Sequence, residues 1–370
     1  MGNIIVKHNM IGSHLLGMGG SEYVALETVI GLSKKNYRVC LKTNPFVKKE
    51  ELFRRAVELY GIPYDELYRV KMNSCSDEYI SINCTGDFLS GYGHIIYFHY
   101  PSILPPKTYY PVIEGSIKLF ADTYYLLNKI FMPKILAKSL VILANSTQTA
   151  EKLSNVIKRR INILFPPVNI NEERSPLSRD DRDKIVLVVS RISYEKQPYR
   201  VLYLAHILKK LKLQDWRIVF VGSKSIHSDK IINEILSIAK KRGLKDFIEF
   251  KVMIKRKDLI KLYRRSYMYV HLTSHEHFGL SIVEAMSHGT PAIIPKDSGA
   301  WFDVALQRKD LALPYTSLAD LENNIKSLIE NHILWETLSL NSYKRAKFFD
   351  RRRFHEKIIK YVEYVESIIK

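Results

Sequence analysis

Short runs of β-branched and apolar residues alternate along the chain with longer runs whose apolar positions recur every three or four residues. This alternation predicts parallel sheets joined by crossover helices, an α/β architecture. In the first half, strands are predicted at 4–7, 38–41, 79–82, 94–98, 140–143 and 161–164. Helices are predicted at 21–33, where Val24, Leu26, Val29 and Ile30 share helical spacing, and at 48–60, 112–131 and 147–157. Between 166 and 183 the pattern stops. The run PPVNINEERSPLSRDDRD has prolines and charges without an apolar period and reads as a linker. A second series then begins, with strands at 185–189, 216–221, 247–250, 267–272 and 291–294 and helices at 198–211, 229–241, 257–265 and 279–288. Residues 351–369 form an amphipathic helix through Phe354, Ile358, Ile359, Tyr361, Val362, Val365 and Ile369. No fixed-period repeat is visible.

At 370 residues the chain is too long for one ordinary domain and suits two. The pattern places an N-terminal domain at 1–170 and a C-terminal one at 183–345, with the helix near 350–370 packing back onto the first. Two doubly wound domains place a ligand in the cleft between them, at the carboxyl ends of their strands. Chemistry is therefore expected just after strands.

Composition adds one constraint. Lys and Arg number 57 against 38 Asp and Glu, a formal +19, which favours an anionic partner. Nucleic acid, an anionic membrane surface and a phosphorylated metabolite all qualify. No helix-turn-helix, finger or RNP pattern is present and the basic residues are scattered, so nucleic acid is not expected. Residues 1–170 hold 20 basic and 13 acidic side chains. Cys40, Cys75 and Cys84 form no CxxC pair, which argues against a disulfide scaffold and a structural zinc site and for a reducing interior. The apolar start NIIV has only a strand's length and is no signal peptide. The apolar region 124–144 is interrupted by Lys129, Lys134 and Lys138 and split by Pro133, so it is no membrane span. A cytoplasmic protein is expected, soluble or peripheral on the cytoplasmic face of a membrane. The histidines outside residue 99 show no metal-ligand spacing, and neither metal nor cofactor is expected.

The segment after the strand at 267–272 reads HLTSHEHFGLSIVEAMSHGTPAI. Gly279 allows a tight turn at the start of a helix. The N–H groups of Phe278, Gly279 and Leu280 would then lack helical partners and could face a phosphate, aided by the helix dipole. Glu276, at the strand end, could accept hydrogen bonds from neighbouring sugar hydroxyls, and Glu284, further into the helix, could hold a ribose diol. An arbitrary pair of glutamates is more often surface charge. Arg191 and Lys196, five residues apart after the strand at 185–189, could neutralise a diphosphate leaving group, although such residues in loops are commonly only solvated.

EHFGLSIVEAMSHGTPAI resembles the E-x7-E signature of retaining GT-B glycosyltransferases of family 4. The resemblance implies two Rossmann-like domains facing across a cleft. It assigns donor sugar and phosphate to Glu276 and the amides of Phe278, Gly279 and Leu280, and the ribose to Glu284. SRISYEKQP is similar to the family's GRL-x3-KG, with Ser190 and Gln197 standing where glycines are usual. GGSE resembles its GG-[AS]-E turn, so the amides of Gly19 and Gly20 would approach donor or acceptor. Gly222, at the end of the strand 216–221, joins the donor side. FHYPS resembles the HYP element of the dolichol-linked mannosyltransferases, which puts His99 near the donor sugar. ANSTQTAEKL, LFPPVNI and Asp297–Gly299 look like further elements of that branch, with SGAWFD where SGGP is usual.

The resemblance implies metal-independent, retaining transfer of a hexose from a GDP- or UDP-sugar, with Glu276, His99, Arg191 and Lys196 carrying the chemistry. The expected partners are the nucleotide sugar, a glycan acceptor on a polyprenyl (pyro)phosphate, and an anionic membrane surface. The segment YYLLNKIFMPKILAKSL suits lipid headgroups, and equally an ordinary buried helix with snorkelling lysines. The competing readings are a soluble glycosyltransferase acting on a free sugar, sugar phosphate or polysaccharide, a nucleic-acid-binding protein, and a catalytically silent binding domain.

Overall fold

The computed structural model describes residues 3–10, 19–68, 70–76, 78–105, 115–170 and 175–370. Gly17 and His14 of the glycine-rich turn and the first residues of the helix expected at 112–131 lie outside them. The chain divides into two compact units. Of the described residues, one comprises those up to Pro167 together with Phe349–Lys370, the other those from Val168 to Phe348.

The strands of the first unit are β1 (Asn3–Lys7), β2 (Val39–Lys42), β3 (Lys71–Met72), β4 (Glu78–Asn83), β5 (Ile95–Phe98), β6 (Val141–Ala144) and β7 (Asn162–Ile163). They form one parallel sheet in the order 3-2-1-4-5-6-7. Its helices are α1 (Gly20–Lys34), α2 (Lys49–Arg55), α3 (Tyr64–Leu67), α4 (Gly115–Lys138) and α5 (Thr147–Ile157). Strand order reverses between β1 and β4, so their carboxyl ends open a crevice, as in doubly wound sheets. β1, β4 and β5 are buried over most of their length, which explains their near-continuous apolar runs. The predicted helix at 48–60 ends in a wider turn over Ala56–Tyr60, closed by Gly61 at φ 67°. The expected break at Pro133 does not occur, and α4 runs through to Lys138. Pro133 lies on the exposed face, where the carbonyl it leaves unpaired can turn to water.

The last helix, α12 (Arg351–Ile369), belongs to the first unit and packs on α1. Glu27 of α1 is fully buried, and its Oε2 lies 2.9 Å from Arg351 Nε and 2.8 Å from His355 Nε2. Arg351 also pairs with Glu66. A side chain at Gly31 would strike the His355 ring at 2.6 Å, so glycine sets how closely the two helices approach.

In the second unit β8 (Asp183–Val189), β9 (Arg217–Gly222), β10 (Ile248–Val252), β11 (Ser266–Val270), β12 (Ala292–Pro295) and β13 (Leu313–Tyr315) form a parallel sheet in the order 10-9-8-11-12-13. The connecting helices are α6 (Val201–Lys210), α7 (Ser228–Lys241), α8 (Arg256–Arg265) and α9 (Leu280–Ser287), followed by α10 (Leu318–Glu330) and α11 (His332–Ala346). The sequence pattern assigned nothing between 294 and 351. There the structure places β13, α10 and α11, held to the sheet by buried Trp335, whose Nε1 donates to Tyr267 O at 3.0 Å. The switch point lies between β8 and β11.

One expectation is corrected. Cys40 and Cys75 form a disulfide, while Cys84 is free and buried. The pairing of Cys40 with Lys71 brings the turn after β3 alongside β2, and that turn carries Cys75 to its partner despite a separation of 35 residues. CxxC spacing gives no hint of such a link because it is made across strands. Opening that loop should cost up to about 3–4 kcal/mol. Cys75→Ser is therefore expected to lower the unfolding midpoint of the first unit, as reductant should in the parent protein. A midpoint unchanged by both would show that the link adds nothing.

Candidate functional site

The second unit gathers most of the predicted residues at its switch point. β8 ends at Val189, and the chain then turns through Arg191 into a single 3-10 turn over Tyr194–Lys196. Gln197 closes that turn at φ 53°, ψ 45°, the left-handed region. This explains why glycine is usual there. Gln197→Gly is expected to change stability by no more than about 1 kcal/mol, in the stabilising direction. A clear fall in unfolding midpoint would contradict this account of the turn.

Lys196 Nζ lies 2.8 Å from Glu276 Oε2. Glu276 is reached from β11 through a turn in which His275 has φ 57°. His271, buried at the end of β11, sits behind it. His271 Nε2 is 3.3 Å from Glu276 Oε2, and Nδ1 is 3.0 Å from the Tyr269 hydroxyl, which is also 2.8 Å from Ser281 Oγ. Burial alone would raise the Glu276 pKa. The Lys196 charge and hydrogen bond, with the His271 ring beside the carboxylate, outweigh burial and hold it well below the usual carboxylate value. Both contacts fall on Oε2. Among the described residues no hydrogen bond is made to Oε1, so the carboxylate is fixed and half of it remains open to a ligand.

Arg191 Nε is 3.5 Å from Glu195 Oε1, and among the described residues its terminal nitrogens make no hydrogen bond. Gly279, at φ 88°, precedes the first residue of α9. Among the described residues, no backbone carbonyl accepts from the N–H of Gly279 or Leu280, as expected of a helix start. The Phe278 side chain is buried in the core, so a ligand role there falls to the backbone. The loop that departs from the family pattern packs beside this turn. Gly299 N donates to Glu276 O at 2.7 Å, and Ala300 and Trp301 are buried.

Two predicted residues stand differently from the expectation. Glu284 has both oxygens engaged, Oε1 by Arg256 at 2.7 Å and Oε2 by the Tyr263 hydroxyl at 2.8 Å. Each oxygen keeps a lone pair, so the clamp fixes the carboxylate and leaves it able to accept a further hydrogen bond. Gly222 serves packing, since a side chain there would come within 2.5 Å of Ser190 O.

In the first unit, Gly19 is the N-cap of α1 and Gly20 its first residue. The Gly19 N–H already donates to Glu22 Oε2 at 3.0 Å. His99 follows β5, with Nε2 2.9 Å from Cys84 O. A carbonyl only accepts, so Nε2 carries the proton and Nδ1 is left as an acceptor. Burial, reinforced by the nearby His8, pushes the His99 pKa down to about 4, against the hydrogen bond to Cys84 and the charge of Glu22, so the ring is neutral at pH 7. Its backbone carbonyl already accepts from Asn145 Nδ2 at 2.8 Å. Asn9 and Tyr124 donate to Asp87 Oδ2 nearby.

Sequence reasoning missed His271, Arg256, Tyr263 and Asp87. His271 was visible only as a histidine five positions before Glu276. The Arg256 and Tyr263 clamp, from α8, left no local signal. Among the described residues no group of side chains has the arrangement of a metal site.

Two parallel doubly wound sheets with this constellation after β8 and β11 define the GT-B fold of glycosyltransferases. Residues 169–345, the unit that carries the site, match the family described as glycosyl transferases group 1. Solved structures agree on the fold. Sucrose-phosphate synthase from Thermosynechococcus elongatus superposes with a TM-score of 0.72 at 16% identity, covering 100% of both chains. HepE from Anabaena in complex with UDP-glucose gives 0.69 at 16% identity, covering 98% of this chain and 100% of HepE. Among curated relatives, a GDP-Man:Man(3)GlcNAc(2)-PP-Dol alpha-1,2-mannosyltransferase from Dictyostelium discoideum is 21% identical over 296 residues, 72% of this chain and 58% of the relative. A D-inositol 3-phosphate glycosyltransferase from Mycobacterium sp. (strain KMS) is 28% identical over 163 residues, 41% of this chain and 36% of the relative. The chain thus spans little more than half, or less, of the length of these curated relatives.

Proposed function

We propose that the protein is a retaining glycosyltransferase that moves a hexose from a nucleotide diphosphate sugar to a glycan acceptor carried on a polyprenyl (pyro)phosphate. The observation that carries this reading is Glu276, held ionised by Lys196 and His271 with Oε1 open, beside the start of α9. Oε1 accepts hydrogen bonds from sugar hydroxyls. Arg191, Lys196 and the amides at Gly279 and Leu280 receive the diphosphate, and Glu284, oriented by Arg256 and Tyr263, takes the ribose. In the first unit, neutral His99 offers Nδ1 as an acceptor for a sugar hydroxyl.

The bond between the sugar's anomeric carbon and the diphosphate breaks as the acceptor oxygen bonds to that carbon on the same face. The acceptor's proton passes to the departing phosphate oxygen. Fixed positive charge supplies the catalysis, and no metal is required. The mannosyltransferase named above favours GDP-mannose, with UDP-glucose as the second candidate. The inositol-phosphate relative favours, as a second reading, a soluble enzyme with a sugar phosphate acceptor.

The test is a hydrolysis and transfer screen of GDP- and UDP-hexoses with lipid-linked acceptors and free sugar phosphates. Product with the lipid-linked acceptors is expected. Product only with sugar phosphates selects the second reading, and no turnover of any donor overturns both.

A further inference from the structure

Helix α4 presents two apolar faces, and among the described residues one packs into the core while the other is exposed. Met132 and Leu136 are buried in a cluster with Ile96, Phe98, Ile142 and Leu153. Asn128, also buried, receives the Phe88 N–H at 3.0 Å. On the opposite face Leu119, Leu126 and Ile130 are 72%, 53% and 50% exposed. With Pro133 and Ala137 they recur at helical spacing along a single outward stripe. Phe120 and Phe131 are exposed at its edge.

At 100° per residue, Lys118 and Lys129 fall on one side of this stripe and Lys134 and Lys138 on the other, all four exposed. The acidic residue on the same surface, Asp122, is taken by Lys118 at 2.6 Å. The positive charge continues beyond the helix end through exposed Lys158, Arg159 and Arg160. Arg159 donates to Leu136 O and Ser139 O, which fixes this triplet to α4. The arrangement is an apolar ridge between two rows of cations, whose long stems can lie along the ridge with the ammonium groups turned to its margins.

We infer that this face of α4 rests on an anionic phospholipid bilayer, with Leu119, Leu126 and Ile130 at the acyl boundary and the flanking lysines on headgroup phosphates. Apolar contact and charge attraction then act together, the combination that holds interfacial helices. Among the described residues no helix is long and apolar enough to cross a membrane, so α4 lies on the surface. A second copy of the chain fits the face poorly, since a two-fold contact through the ridge would set lysine rows against lysine rows. The inference stands on the geometry of α4 and is independent of the transfer reaction.

The test is flotation of the full chain with vesicles of phosphatidylcholine alone or mixed with phosphatidylglycerol. Binding to the mixed vesicles is expected, weakened by salt, with little binding to neutral ones. Leu126→Glu with Ile130→Glu should reduce binding at least about tenfold, and Lys129→Glu with Lys134→Glu should remove its salt-sensitive part. The indole of a Leu126→Trp variant should be quenched by brominated lipid, which reports insertion even if the charged variants fold poorly. Absence of binding to anionic vesicles, binding unchanged in both double variants, or an indole that brominated lipid leaves unquenched would each overturn the inference. So would a dimer in sedimentation equilibrium that the Leu126→Glu and Ile130→Glu changes dissolve.

Discussion

Glu276→Ala and Lys196→Ala are each expected to lower turnover of the nucleotide sugar by roughly 10²–10³-fold, the usual cost of removing one electrostatic contact to a developing charge. The two should not add. Lys196 holds Glu276 and, in the proposed mechanism, faces the leaving group, so the double variant is expected to lose little more than the worse single one. Glu276→Gln separates charge from shape, since it keeps an acceptor oxygen but gives up the pair. Its effect on stability has a definite sign. The folded pKa of Glu276 lies well below its ordinary value, so the pair stabilises the protein above that ordinary value and ceases to do so as pH falls through the folded one. The stability gap between the parent and Glu276→Gln should therefore close in acid. Near-normal turnover in both alanine variants would remove the site assignment altogether.

The second large effect concerns backbone. Gly299→Ala is expected to destabilise the second unit by about 3 kcal/mol, roughly 6–12 °C in unfolding midpoint for a unit of this size. The new methyl carbon would stand 1.9 Å from His277 O and 2.8 Å from the carbonyl carbon. Those are main-chain atoms between Glu276 and Gly279 and cannot swing aside as a side chain could. The Gly299 N–H is meanwhile anchored to Glu276 O. Any relief must move the turn that positions Glu276, so activity should fall further than stability. Gly91→Ala is the control. Its φ is positive, but nothing lies within 4 Å of the added carbon, so only the local backbone cost of about 1–2 kcal/mol is expected. Equal midpoints for the two variants would refute the steric account.

Strand–helix alternation exposed most of both sheets because buried parallel strands write continuous apolar runs. It missed β3, a two-residue edge strand, and β13, in which Pro314 sits between two apolar residues. The helices at 318–346 escaped notice although both carry side-chain N-caps, Ser317 and Asn331. The site was legible where it is linear, at Glu276, Gly279, Arg191 and Lys196, since loops after strands keep ligand groups close in sequence. It was not legible where distant segments meet. His271 acquires a role only because a turn folds Glu276 back over it, and Arg256 reaches Glu284 from a different helix. The Cys40–Cys75 link belongs with these, as strand pairing and not spacing brings the two sulfurs together.

The return of α12 to the first unit bears on how the protein is made. Glu27 leaves the ribosome well before its buried partners Arg351 and His355, which follow 324 and 328 residues later. At about 5–20 residues per second that interval is roughly twenty seconds to a minute. Throughout it, closing α1 over an unpaired carboxylate is unfavourable. The first unit is thus completed only after residues 168–348 of the second have been translated, so its final closure waits on α12 while the second unit can already fold.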